Sequence, residues 1–292
     1  MIIETRPLPA FEYAAPTSLA EAIGLLREHG GAAKLLAGGT DLIPRMKKRK
    51  SAPSLVIDLT RVSGLSFIDV QPDAVHIGGG TPLAALYDSA VLREHAGALA
   101  DAVRVMSSPG IRNRATLAGN RCNASRCADA PAPLVALNAS AKLCSGAGER
   151  LVAMADFFTA AGSAKTVIRA DEVLTEVIVP LQQGRSAFLK LGRRKGSSTA
   201  IVSAAAYAEI QNGVFKEVRV AVNAIGSTPV RSPAVERALQ GAPATREEIA
   251  RASVLVKGEI DPISDDRASS AYRKEMAPVV IKRTLTKLAI GE

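Results

Sequence analysis

The chain has 292 residues, of which 47% are hydrophobic and 3% aromatic, with no Trp and a formal net charge of +9. That length allows two domains, and that apolar share supplies cores built on Ala, Val, Leu and Ile rather than on rings. Three cysteines argue against a disulfide framework, and neither a signal peptide nor a bilayer-length apolar run is in view, so the cytoplasm is the expected compartment.

Phe11 to Pro16 reads as extended. Ser18 then offers an N-cap with Glu21 as its capping-box partner, and Leu19, Ala22, Ile23, Leu25 and Leu26 follow at helical spacing until Gly30-Gly31 stops the helix. Lys34 to Ala37 is a short buried strand that delivers the chain to the loop Gly38-Gly39-Thr40-Asp41-Leu42. The order is βαβ-like, but the loop lacks the Gly-x-Gly-x-x-Gly pattern of a dinucleotide fingerprint. Ser54 to Leu59 is a second buried strand, and the first small α/β unit ends near Leu59. Ala74 to Ile77 is a strand running into Gly78-Gly79-Gly80-Thr81, and Pro82 suits the first turn of a helix carrying Leu83, Leu86 and Tyr87. A helix is expected from about Ser89 to Met106. The segment Ser107 to Ala128 reads as irregular, and a loop of that size in a folded domain is usually functional.

A helix spans roughly Pro131 to Asn138, with strands at Ala139 to Cys144 and Glu172 to Val179. Phe188 to Leu191 precedes a strong strand at Ala200 to Ile210, and Glu209 to Asn223 reads as a hairpin about Gly213. Helices follow at about Pro233 to Leu239 and Thr245 to Lys257, and Tyr272 opens a last one. Strands followed by helices make the second half an α+β unit, with the boundary near Pro180 to Arg185.

Two glycine-bearing loops stand out: Gly38 to Leu42, and Ala115-Thr116-Leu117-Ala118-Gly119-Asn120. Glycines let a ligand approach the main chain closely, and freed N–H groups in such turns converge on anions. Either loop alone also fits an ordinary turn. Asp129, just past the long segment, suits either a helix cap or a sugar hydroxyl. Cys122 and Cys127 lack the fourth ligand that a usual thiolate-held iron–sulfur cluster needs, so they read as free thiols, and no metal site is expected. His76, alone on a strand, reads as structural. No nucleophile–base constellation is present, which fits chemistry carried by a bound cofactor. The basic runs Lys47-Lys48-Arg49-Lys50 and Arg193-Arg194-Lys195 fit a solvated face or a partner or phosphate contact, and no nucleic-acid-reading motif accompanies them.

These motifs carry a resemblance. Lys34 to Leu42, Ile77-Gly78-Gly79-Gly80-Thr81-Pro82-Leu83, Ser108-Pro109-Gly110-Ile111-Arg112-Asn113, Ala115 to Asn120, and Asn123-Ala124-Ser125 leading to Ala128-Asp129 occur in this order over nearly the whole chain. In that order the chain resembles the FAD-binding (medium) subunits of the molybdenum hydroxylases, the xanthine dehydrogenase family that includes carbon monoxide dehydrogenase. The resemblance implies an α+β fold: a FAD-binding domain at 1–182 of the PCMH or vanillyl-alcohol-oxidase type, with subdomains of about 1–60 and 61–182. A C-terminal flavoprotein domain of antiparallel sheet and helices would follow at 183–292.

It also implies non-covalent FAD, with the diphosphate cradled around Gly38, Gly39, Thr40, Ala118 and Gly119 and the sugar chain fixed by Asp129. Leu174 and Lys190 would lie in the flavin site. There Leu174 would pack on the ring and Lys190 would stabilise negative charge on it. The remaining positions that match the family's site are Leu36, Ala37, Asp41, Leu42, Thr81, Ile111, Thr116, Asn120 and Asn123. No catalytic side chain is implied. Molybdopterin would sit on a large partner subunit and two [2Fe–2S] clusters on a small one, in a heterotrimer or a dimer of heterotrimers. Electrons would pass from those clusters through FAD to an external acceptor. The alternative is a stand-alone FAD-dependent reductase of the same fold superfamily. Two departures from the family pattern are Ala118, where Gly is usual, and the absence of an acidic residue in Gly196 to Thr199.

Overall fold

A computed structural model of the chain describes residues 7–159, 166–194 and 196–291, and Arg121 through its backbone. Lys195 of the second basic run therefore lies outside the described residues. The chain opens with β1 (Glu12–Ala14), α1 (Leu19–His29), β2 (Ala33–Leu36), α2 (Leu42–Lys47) and β3 (Leu55–Asp58). The three strands form a parallel sheet in the order β1-β3-β2. The Ser18 hydroxyl caps α1 by accepting from the Glu21 amide at 3.2 Å, and Glu21 reaches back to the Thr17 amide at 2.9 Å, one residue before the position the capping box assigns.

Next come β4 (Ile68–Val70), β5 (Ala74–Gly78), α3 (Leu83–Asp88), α4 (Ala90–His95), α5 (Gly97–Arg104), α6 (Pro109–Arg112), α7 (Leu117–Cys122) and α8 (Pro131–Ala136). They are followed by β6 (Ser140–Ser145), β7 (Gly148–Ala153) and β8 (Val173–Pro180). The five strands make an antiparallel sheet ordered β4-β5-β8-β6-β7. The single helix expected over Ser89 to Met106 is two helices. The chain breaks at Ala96 (φ −138°, ψ 49°), where a Cβ on Gly97 would lie 2.7 Å from the Ser186 carbonyl oxygen. The Ser186 hydroxyl accepts from the Ala98 amide at 2.9 Å and so caps the second helix. The segment Ser107 to Ala128 is not irregular throughout either, since α6 and α7 are short helical turns within it.

The remainder is β9 (Arg185–Gly192), β10 (Ala200–Gln211), β11 (Val214–Asn223), β12 (Val230–Arg231), α9 (Pro233–Leu239), α10 (Arg246–Ser253) and α11 (Ser270–Ile290). The strands form an antiparallel sheet in the order β12-β11-β10-β9. One face of this sheet, with Val202, Ala204, Val220 and Val222, packs on α9 to α11 through Leu239, Ile249, Ile281 and Leu285. The other face presents Phe188, Ala205 and Ala221 to the core under the five-stranded sheet, beside Leu99, Val103 and Leu134. The Ala-rich stretch of β10 keeps that face low, so α5 and α8 settle close against it. Among the described residues no helix is long and apolar enough to cross a membrane.

Candidate functional site

The first glycine loop leaves β2 and enters α2. Gly38 sits so tightly on the chain at Arg114–Ala115 that a Cβ would fall 1.9 Å from the Arg114 carbonyl oxygen. Gly39 takes φ +73°, a conformation that favours glycine. Among the described residues, the backbone N–H groups of Gly38, Gly39, Thr40, Asp41 and Leu42 donate to no protein acceptor. Five unspent amides in one turn form a concave donor surface of the kind that holds phosphate. A cleft of 380 Å³ opens on this loop, lined by Leu36, Gly38, Gly39, Thr40, Ile43, Pro44, Ile111 and Arg114. Pro44, Ile43 and Arg114 were not singled out from sequence, because only the fold brings Arg114 to Gly38.

The second glycine motif is arranged differently. Its Ala118 amide donates to the Gly79 carbonyl at 3.1 Å, and its Gly119 amide to the Thr116 hydroxyl at 3.1 Å. The Asn120 amide donates to the Thr116 carbonyl at 3.0 Å, and the Asn123 amide to that of Gly119 at 3.1 Å. The amides of Ala118 and Gly119, expected to share the diphosphate, are thus already engaged, and this motif acts as the wall that braces Gly38 through Arg114–Ala115. The Ala118 methyl faces Gly79, where an added Cβ would come within 3.1 Å of it and 2.4 Å of the Leu174 carbonyl oxygen. Leu174 itself is buried in the central core. Thr81 is buried too, and its hydroxyl is spent on Phe67, accepting from the amide at 3.1 Å and donating to the carbonyl at 2.9 Å.

Asp129 and Lys190, 61 positions apart, meet in a buried ion pair at 2.7 Å with each side chain 7% exposed. Lys190 also donates to the Val105 carbonyl at 2.8 Å. Asp129 does not cap α8, whose N-cap is Ala130 without a side-chain hydrogen bond. Register places Lys190 opposite Ser203 and Ser203 opposite Asn223, so three polar groups cross one face of the C-terminal sheet. Asn223 donates to the Ala128 carbonyl at 2.7 Å and fixes the segment that carries Asp129. A lone Asn ending an apolar strand is a weak sequence signal, and it was missed.

Asn123 lies apart from the first cleft, in a second one of 740 Å³ that also takes in Asp41, Pro44, Ser125 and Cys127. Cys127 and Cys144 are buried and Cys122 is exposed, none of the three in a disulfide, and among the described residues no group of three or more His, Cys, Asp or Glu could hold a metal ion. Burial pushes the Cys127 thiol above its ordinary pKa, against the pull of Arg267, whose guanidinium lies 3.2 Å from the sulfur. His76 pairs with Glu176, which Lys142 also meets at 2.8 Å, a network within the five-stranded sheet and outside both clefts.

The family profile described as the FAD binding domain in molybdopterin dehydrogenase matches residues 9–182. The chain belongs to this family. The profile of the CO dehydrogenase flavoprotein C-terminal domain matches residues 187–288 of the same chain. Similar proteins include the nicotinate dehydrogenase FAD-subunit of Eubacterium barkeri, 31% identical over 278 residues, with 94% of each chain covered. They also include the carbon monoxide dehydrogenase medium chain of Hydrogenophaga pseudoflava, 33% identical over 279 residues, covering 95% of this chain and 96% of that one. The solved carbon monoxide dehydrogenase of Hydrogenophaga pseudoflava that lacks the Mo-pyranopterin moiety superposes with a TM-score of 0.92 at 32% identity, over 98% of this chain and 99% of that one. Quinoline 2-oxidoreductase from Pseudomonas putida 86 gives 0.92 at 29% identity, over 98% and 99%. The molybdopterin dehydrogenase FAD-binding chain is thus an oxidoreductase subunit with FAD as its cofactor. The α+β expectation, a FAD-binding domain followed by an antiparallel C-terminal sheet, holds.

Proposed function

We propose that the chain relays electrons within a molybdenum hydroxylase. It would receive them from [2Fe–2S] clusters of a small partner subunit and pass them through FAD to an external acceptor. Substrate hydroxylation would belong to a large molybdenum subunit, in a heterotrimer or a dimer of heterotrimers in the cytoplasm. The carrying observation is the run of five unspent amides from Gly38 to Leu42, held in shape by Gly38 against Arg114–Ala115. The two negative charges of a diphosphate match that donor surface, with the Arg114 side chain on the cleft wall. The residues present therefore fit FAD, and bound FAD supplies the two-electron redox chemistry that no side chain here offers.

Each part of the chain then has a task. The amides of 38–42 hold the diphosphate, Thr116 orders the bracing turn, and Asn123, Asp129 and Lys190 orient the sugar chain and ring. Lys190, held inward by its ion pair with Asp129, is the side chain this reading assigns to stabilising negative charge on the ring. We assign the FAD-binding domain to 1–182, with subdomains of about 1–60 and 61–182, and the C-terminal domain to 183–292.

A visible absorption spectrum of the purified chain, before and after heat release, tests the reading. Flavin bands with FAD recovered in the supernatant are expected. A chain that stays colourless after FAD is added, with its partner subunits present, sinks the proposal.

A further inference from the structure

Arg112 lies outside the set of residues assigned to FAD, and its side chain turns back on the chain that precedes it. Nη1 donates to the Met106 carbonyl at 2.9 Å and to the Ser107 carbonyl at 3.3 Å. The guanidinium also lies over the Tyr87 ring of α3, 4.6 Å from its centre. One half-buried cation therefore closes the turn 106–112 and is itself held against a second helix. The turn is strained: Ser107 takes φ +50°, a left-handed conformation that a residue with a side chain adopts at a cost. Such a conformation persists where its surroundings over-determine it, and the two carbonyls that Arg112 holds flank it on either side.

The turn has a functional end on each side. Before it, the Val105 carbonyl accepts from Lys190 Nζ at 2.8 Å, while Asp129 accepts from the same ammonium at 2.7 Å. Two of the three ammonium donors are thus fixed, one of them by the residue next to Met106. After the turn, α6 carries Ile111 to the wall of the cleft on the first glycine loop. The Ile111 carbonyl accepts from the Ala115 amide at 2.8 Å, which leads straight into the second glycine motif. The helix that supplies Tyr87 is tied to the same place, since its Leu83 amide donates to the Ala115 carbonyl at 2.8 Å. Arg112 therefore stands where the Lys190 side of the site and the glycine-loop side are joined.

We propose that Arg112 is a positioning residue for the flavin site. By holding the Met106 and Ser107 carbonyls, with Tyr87 behind it, it sets the direction of the Val105 carbonyl and so the place of the Lys190 ammonium. The inference rests on the FAD reading above, in which Lys190 stabilises negative charge on the ring.

The test is the midpoint potential of the flavin in the full FAD-loaded chain, read by spectroelectrochemical titration at one fixed pH, with urea unfolding alongside. A positive charge that stabilises the reduced flavin raises its potential, so Lys190→Met lowers it. Arg112→Ala is expected to lower it as well, and to lower it no further when combined with Lys190→Met, because the effect passes through that ammonium. A purely structural role would lower the urea midpoint and leave the potential where it is. Tyr87→Leu carries the same readout should Arg112→Ala not fold, since the ring is exposed and every charge stays in place. Its potential is expected to fall in the same direction, and again only while Lys190 is present. An Arg112→Ala potential equal to wild type overturns the inference. So does a shift that persists undiminished beside Lys190→Met, which would mark Arg112 as acting through its own charge. A chain that holds no flavin overturns the FAD reading and this inference with it, whereas flavin bands with an unmoved potential overturn the inference alone.

Discussion

At Gly38 the contact is backbone against backbone. A methyl group there would lie 1.9 Å from the Arg114 carbonyl oxygen and 2.8 Å from the Ala115 Cα, neither of which can swing aside. Gly38→Ala is expected to push β2 off the second glycine motif, destabilise the chain by about 1–3 kcal/mol or more, and abolish FAD retention. Gly110→Ala is the control. Nothing lies within 4 Å of its Cβ position, so urea midpoint and FAD content are expected to stay near wild type. The Lys190–Asp129 pair allows a second measurement. Lys190→Met removes one partner of a buried ion pair, a loss of about 3–5 kcal/mol by the usual behaviour of broken buried pairs. Adding Asp129→Asn restores much of it if the pair acts as a unit, and urea unfolding of the two single variants and the double variant measures the coupling. The glycines of 38–42 were legible because their type and spacing are themselves the signal. The bracing by Arg114 and the meeting of residues 129 and 190 were not, because nothing local in either stretch encodes its partner.

Among the elements, the break between α4 and α5 shows where local pattern gives way to packing. Leu92, Ala96, Leu99, Ala100 and Val103 continue helical spacing across the break, and Ala96 is a strong helix former. The periodicity alone therefore reads as one helix. What interrupts it is β9, remote in sequence, whose Ser186 presses its carbonyl on Gly97 and lends its hydroxyl to the Ala98 amide. Ser186→Ala removes that cap and is expected to cost about 1 kcal/mol, seen as a lower urea midpoint with an unchanged slope. Gly97→Ala drives a methyl to within 2.7 Å of the Ser186 oxygen, and is expected to cost more than the loss of the cap. If both variants match wild type, α5 is not held by β9. Where no remote strand intervenes, the reading from sequence came close: α1 begins and ends where Ser18 and Gly30 place it, and the β10–β11 hairpin turns at Gly213. The short edge strands β4 and β7 were missed, since Ile68–Val70 and Gly148–Ala153 carry little apolar alternation and owe their conformation to the sheet they join.

Across the whole molecule, Asp265 ties distant parts together. It accepts from Arg273 of α11, from Arg267 in the preceding loop and from Arg126 beside Asn123 and Cys127. Burial opposes its charge, but the Arg267 amide, the Arg273 guanidinium and the Ala268 amide outweigh that and hold its pKa at about 2, below the ordinary 3.8. A carboxylate depressed on folding adds stability that is present in full above the pKa of the unfolded chain, and that stability is lost as pH falls through the folded value. The window is therefore from about pH 4 down to about pH 2. Asp265→Asn removes the charge at every pH and leaves three guanidinium groups facing one another, so at pH 7 it is expected to be clearly less stable than wild type. The gap in urea midpoint should hold constant down to about pH 4 and shrink towards pH 2, where about half of the wild-type carboxylate is protonated. A gap that persists unchanged at pH 2 would mean that Asp265 acts through shape and hydrogen bonding, not through charge.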